Sequence, residues 1–216
     1  IPKENMNELF KEVKNNKNIK IVCASELMKE SLISLSNNEL GENNFSVIPA
    51  PISVTKKEEM RNFNTKKALV YFKKRNIKEL EIVQKYLDEK DIEYKTFTYG
   101  EYNNADLMNE ALESNFGIIL DKSETQGIAV QELMSTNLPL FVIDYQNNEY
   151  IGLDSFEFSS VPYWSNKCGE RIFDIKDFDV KMDLFIKNIQ SYSPKEFIEK
   201  NLSPEQIRKT FIKEFQ

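Results

Sequence analysis

Residues 116–143 read FGIILDKSETQGIAVQELMSTNLPLFVI. The first five, Phe116 to Leu120, carry no polar side chain on either face, the pattern of a strand buried on both sides at the centre of a parallel sheet. A polar turn follows. A helix is expected over about residues 125–136, opened by Ser123 and Gln126, which have the spacing of a capping box. Asn137-Leu138-Pro139 then leads into a second apolar run over residues 138–143. Strand, turn, helix and strand in direct succession make a βαβ unit and argue for an α/β fold with a parallel sheet.

The same alternation extends outward. Upstream, residues 68–72 read as a strand that runs straight into Lys73-Lys74-Arg75, and a helix follows with Ile77, Leu80, Val83 and Leu87 on one face. Residues 92–98 form the next strand, ending in Tyr99-Gly100, and residues 107–112 lie in a helix. Closer to the start, residues 19–24 (IKIVCA) read as a buried strand, Ser25 caps a helix to about Ser36, and residues 45–48 form a short strand stopped by Pro49-Ala50-Pro51. Residues 53–66 are polar and without strand pattern, so a linker or domain boundary is expected there. Downstream, Phe178, Met182, Phe185, Ile186 and Ile189 make an apolar helical stripe. Ser193-Pro194-Lys195-Glu196 and Ser203-Pro204-Glu205-Gln206 have capping-box form with Pro at the first helical position. Residues 161–164 and 168–170 receive no element, and Trp164 is expected to pack rather than to face a cleft. The whole predicts one Rossmann-like parallel sheet flanked by helices over about residues 67–175, with a small strand-helix-strand unit in residues 1–54.

Composition narrows the chemistry. The 216 residues include 29 basic and 35 acidic side chains, for a net charge of −6. Nucleic-acid binders are more often basic, so no nucleic-acid partner is expected. No apolar run reaches the roughly 18–20 residues of a membrane span, and no transmembrane segment or secretory signal is expected. With two distant cysteines, Cys23 and Cys168, and no metal-binding spacing, no metal is expected and a cytoplasmic location is the default. The chain holds no histidine, which excludes Ser-His-Asp and Cys-His catalysis from its own residues.

Open parallel sheets bind ligands beyond the carboxyl ends of their strands. Three places qualify. Lys73, Lys74 and Arg75 suit a diphosphate or form a solvated basic turn. Tyr99 could stack on a nucleobase or cover the following helix. Residues 121–127 lead into a helix start, where free N–H groups and the positive dipole end favour an anion. No G-x-G-x-x-G or P-loop is present. Glu124 and Glu132 stand eight apart around this start, a spacing that also arises by chance.

Residues 121–143 resemble the Glu-x7-Glu region of GT-B glycosyltransferases, in which an acidic residue, a Gly-containing helix start and a second Glu precede a small-residue-Gly-Leu-Pro turn. Asn137 stands in place of that Gly. The resemblance covers about residues 66–216, and residues 67–75 (KALVYFKKR) look like the first strand and phosphate-facing loop, without the usual loop glycines. It implies a hexosyltransferase-like enzyme of retaining type, with residues 1–54 the end of an acceptor domain and residues 55–216 a nucleotide-sugar-binding domain. Glu124 would hold donor-sugar hydroxyls at the catalytic centre and Glu132 the ribose. The backbone near Gly127 and Ile128, with Lys73, Lys74 or Arg75, would hold the diphosphate, and Ser123, Gln126 and Tyr99 would complete the donor site. No metal or other cofactor is implied, the nucleotide sugar being a substrate, and the acceptor is a glycan, lipid or protein. An inverting enzyme would need a base from residues outside this chain. The competing readings are a non-catalytic nucleotide- or sugar-binding module or degenerate glycosyltransferase, and a nucleotide-sugar epimerase.

Overall fold

The computed structural model describes residues 3–54, 63, 66–145 and 159–215. Two parallel sheets organise them. The smaller begins with helix α1 (Lys3–Asn15), followed by β1 (Ile21–Cys23), α2 (Glu26–Leu35) and β2 (Phe45–Val47). β1 and β2 pair in parallel, Ile21 beside Phe45. The Ser25 hydroxyl accepts the Met28 N–H at 3.2 Å and opens α2 as expected. Phe10, Val13, Cys23, Leu40 and Phe45 form the core of this unit. Helix α1 has no counterpart in the sequence reading.

The larger sheet holds β3 (Lys67–Lys73), β4 (Glu93–Thr98), β5 (Phe116–Asp121), β6 (Leu140–Ile143) and β7 (Gly169–Ile172), in the order β4-β3-β5-β6-β7. Every pairing is parallel. Helices α3 (Ile77–Glu89), α4 (Asn104–Glu113), α5 (Ile128–Ser135), α6 (Phe178–Lys187), α7 (Pro194–Asn201) and α8 (Pro204–Phe215) complete the chain. The Rossmann-like parallel sheet flanked by helices is therefore present over the expected span. β5 sits at the centre with every residue buried, as its all-apolar faces require.

Alternation along the strands sorts two cores. Leu69, Tyr71, Ile119 and Val142 join Leu107, Leu133 and Ile198 on one face. Ala68, Val70, Ile118, Leu120 and Phe141 join Val83, Phe178 and Phe185 on the other. By the same period of two, Lys73 and Asp121 belong to the first face. Trp164 packs against that face as expected.

Three details differ from the sequence reading. α5 starts at Ile128, and its N-cap is Gly127 with no side-chain cap, so Ser123 and Gln126 form no capping box. The Gln126 amide bonds to the Ala50 N–H and carbonyl instead, both at 2.8 Å. Pro194 opens α7 as expected, yet the Ser193 side chain makes no cap and its hydroxyl donates to Glu196 at 3.3 Å. β7 lies where no strand was assigned. Gly169 makes it possible: at φ 144°, a Cβ there would stand 1.8 Å from the Leu140 carbonyl oxygen. Most of the expected 53–66 linker lies outside the described residues.

Candidate functional site

The strand order marks a candidate place for a ligand. From β3 the chain crosses to β4 on one side, and from β5 it proceeds to β6 and β7 on the other. The crevice of such a sheet opens beyond the carboxyl ends of the two strands flanking the reversal, here β3 and β5. Their last residues, Lys73 and Asp121, are register partners.

These two and Glu124 form one ionic cluster. Lys73 is buried, with its ammonium hydrogen-bonded to Glu124 and 3.6 Å from Asp121 Oδ2. The same ammonium lies 4.6 Å from the centre of the Tyr99 ring, a cation–π contact. Burial opposes the charge on Lys73, but Glu124 and Asp121 outweigh it and raise the ammonium above the usual lysine range. Asp121 is fully buried. Its Oδ1 accepts the Lys122 N–H at 2.6 Å, while Oδ2 has no hydrogen-bond partner among the described residues. Burial, then the adjacent Glu124, push its carboxyl up to about 7 against the opposing pull of Lys73.

The other sequence-named residues have different surroundings. Arg75 donates to the carbonyls of Asp121 at 3.1 Å and Ile143 at 2.9 Å and forms a two-pronged pair with Glu79. Its guanidinium therefore ties the ends of β5 and β6 to α3. Lys74 is exposed and left-handed, at φ 52°, a backbone that glycine would adopt more readily. Ser123 is half-buried in the turn, and Ile128 is exposed at the start of α5. Gly127 is left-handed at φ 83°, and a Cβ there would stand 3.4 Å from the Ser160 carbonyl oxygen. Glu132 is half-buried, one helix turn on; burial raises its carboxyl and an Asn104 side-chain hydrogen bond opposes the shift.

A second network supports the turn. Asp144, buried after β6, accepts from Ser159 Oγ at 2.7 Å, Ser160 N–H at 2.8 Å and Ser160 Oγ at 2.9 Å. The Ser159 carbonyl in turn accepts the Glu124 N–H at 3.0 Å. Two links bring the small sheet to the same place. Gln126 holds Ala50, just past β2, and the Tyr163 hydroxyl donates to the Ala24 carbonyl, just past β1, at 2.7 Å. The carboxyl end of the small sheet is thus tied to Gln126 in the turn and to Tyr163. Sequence reasoning singled out neither Asp121 nor Asp144. The available signal was a carboxylate closing an otherwise apolar strand, in FGIILD and again in LFVID.

Clefts of about 520 and 980 Å3 lie elsewhere, at the amino ends of the strands around Lys66, Asn115 and Glu93. The wall of the larger includes Lys67, already paired with Glu110 and Glu113, and both face away from the strand reversal. Among the described residues no cluster of metal-ligating side chains occurs, and no helix is long and apolar enough to cross a membrane.

Neither a protein-family model nor a curated protein sequence matches the chain. Solved structures do. The G117R mutant of S. aureus TarM, solved with fondaparinux, α-GlcNAc-glycerol and UDP, superposes with a TM-score of 0.64 at 15% identity, over 94% of this chain and 45% of its own. The lipopolysaccharide outer core galactosyltransferase WaaB gives 0.57 at 13%, over 90% and 61%. The pneumococcal O-GlcNAc transferase GtfA, bound to UDP and GlcNAc, gives 0.54 at 11%, over 89% and 44%. The chain has the fold of GT-B glycosyltransferases. It spans about half the length of these relatives.

Proposed function

We propose that the chain binds a nucleoside-diphosphate sugar at the carboxyl ends of β3 and β5 and takes part in transferring the sugar to an acceptor. One observation carries this reading: a buried lysine and a glutamate meet at the strand reversal, beside a glycine-opened helix start, in a fold shared with glycosyltransferases. In the transfer, the bond between the anomeric carbon and the β-phosphate oxygen breaks and its electron pair stays on the phosphate. The acceptor oxygen forms the new bond and gives up its proton. The Lys73 ammonium and the open amides of α5 stabilise the charge that grows on the leaving diphosphate. Glu124 accepts from sugar hydroxyls and Glu132 from the ribose, while Tyr99 offers its exposed ring to the base. No metal is needed where Lys73 supplies the positive charge, and retention of configuration fits a site without a histidine base. Arg75 acts through the backbone it holds rather than on the phosphate.

Calorimetric titration with uridine, guanosine and adenosine diphosphates and with their sugars tests the site. A charge-assisted hydrogen bond contributes about 1.5–3 kcal/mol. Glu132→Gln is expected to weaken binding of the nucleotide itself by about tenfold or more. Glu124→Gln is expected to spare the nucleotide and weaken the sugar-bearing donor. Unchanged affinity in both variants would remove the assignment. Nucleotide-sugar binding with neither hydrolysis nor transfer identifies a binding module, and conversion of the free donor to an isomer identifies an epimerase.

A further inference from the structure

The cluster at the strand reversal contains one cation and two carboxylates, and it is closed upon itself. Lys73 is the counterion of both Glu124 and Asp121. A diphosphate that binds Lys73 must share or take that ammonium. Glu124 is partly exposed and can turn to sugar or water. Asp121 cannot: it is fully buried, its position is fixed by the end of β5, and its Oδ2 already lacks a hydrogen bond. An ionised carboxylate left there without its counterion, with phosphate charge arriving nearby, is strongly disfavoured.

We propose that Asp121 couples donor binding to proton uptake, so that the departure of Lys73 toward the diphosphate is balanced by a proton taken onto Asp121 Oδ2 and donated to Glu124. The proton comes from solvent, and no bond other than O–H is made. The proposal rests on the donor-site reading of Lys73 and deepens it. The groups facing Asp121 agree with this direction. Lys73 on β3 and the Lys122 amide favour the anion, while Glu124 favours the acid; the Tyr71 hydroxyl on β3 lies near the same carboxyl and stays neutral, its ionisation raised by burial first. Of Asp121, Arg75 meets only the carbonyl, and Tyr99 reaches the cluster through Lys73. Protonation also gives Oδ2 the partner it lacks, because two anionic carboxylates cannot hydrogen-bond to each other. Asp121 is thus a positioning residue, acting on the donor through Lys73 and Glu124.

The test is calorimetry of the wild-type chain and Asp121→Asn with uridine, guanosine and adenosine diphosphates, near neutral pH, in buffers of low and high ionisation enthalpy. The wild type is expected to take up roughly half a proton more per nucleotide than Asp121→Asn, as a carboxyl poised near neutrality requires. Any proton released by the nucleotide phosphate is common to both and cancels. Equal proton counts overturn the coupling while leaving the donor site standing. Should Asp121→Asn fail to fold, the wild type alone decides. Its nucleotide affinity is expected to rise as pH falls from about 9 to about 7, above the range where the phosphate itself titrates, and a flat profile overturns the coupling. Absence of binding by any of the three nucleotides, in either protein, overturns the donor-site reading and the coupling with it.

Discussion

A carboxyl group that closes a buried strand affects stability even before any ligand arrives. Asp121 is raised to about 7 by burial first and by Glu124 next, so the folded chain holds this proton more tightly than the unfolded chain. Such a group contributes stability that is fully present below the ordinary aspartate range and is lost as pH rises through about 7. Asp121→Asn removes that dependence. In urea unfolding followed across pH, the stability of the wild type relative to Asp121→Asn is therefore expected to fall between about pH 4 and 7, by at most about 1.4 kcal/mol per unit. A constant difference would show that Asp121 carries no shifted proton. Gly169 offers a simpler case at this scale. With φ at 144° and the Leu140 carbonyl oxygen 1.8 Å from any Cβ, Gly169→Ala must break the β6–β7 pairing or shift the strand. A cost above about 4 kcal/mol is expected, read as a lowered unfolding midpoint or loss of folded protein.

At the scale of elements, Arg75 is a structural cation, unlike Lys73, which is proposed to meet the ligand. It serves the last carbonyl groups of β5 and β6 and Glu79 of α3 at once. Arg75→Gln leaves these acceptors with fewer donors in a buried place, and about 3 kcal/mol of stability is expected to go. Arg75→Lys restores the charge but not the fork, and is expected to recover little. Lys73→Met, by contrast, should lower nucleotide affinity far more than Arg75→Lys does, in calorimetry of the folded variants. Sequence alone placed these two cations in one basic run and could not separate them, because the difference is which carbonyls and carboxylates the tertiary fold brings near each. The strands were legible for the opposite reason: a run such as FGIIL or LFVI is apolar on every side whatever surrounds it. β7 was not, since GERI carries two charges and depends on Gly169 for its approach to β6. The capping box of α5 failed in the same way. Local spacing favoured Gln126 as a cap, but two backbone bonds to Ala50, 76 residues away, take its amide. The candidate site was legible as a turn with two glutamates, while the buried acid beneath it and the Asp144 network beside it depend on contacts that no local pattern encodes.

At the scale of the molecule, two parallel sheets meet through a few polar ties. Gln126 bonds twice to Ala50, Tyr163 bonds to Ala24, and the Ile52 N–H reaches the Leu202 carbonyl. From α8, Glu214 accepts from the Ser46 hydroxyl at 2.8 Å. The small sheet has only the two short strands β1 and β2 and its own compact core. Two-stranded sheets are marginal alone, so these ties decide whether residues 1–54 open separately or only with the rest. Each neutral hydrogen bond contributes about 1 kcal/mol. Replacing Gln126 by Ala and Tyr163 by Phe together is expected to remove about 2 kcal/mol or more of the support under β1 and β2. In hydrogen exchange, the ladder amides of residues 21–23 and 45–47 should then exchange roughly 30-fold faster, while those in β3 and β5 keep their protection. That outcome makes residues 1–54 a cooperative unit held beside the proposed donor site by the very turn that carries Glu124. Equal acceleration in both sheets would instead mean that the chain opens as one body, and that the boundary expected in residues 53–66 does not divide its stability.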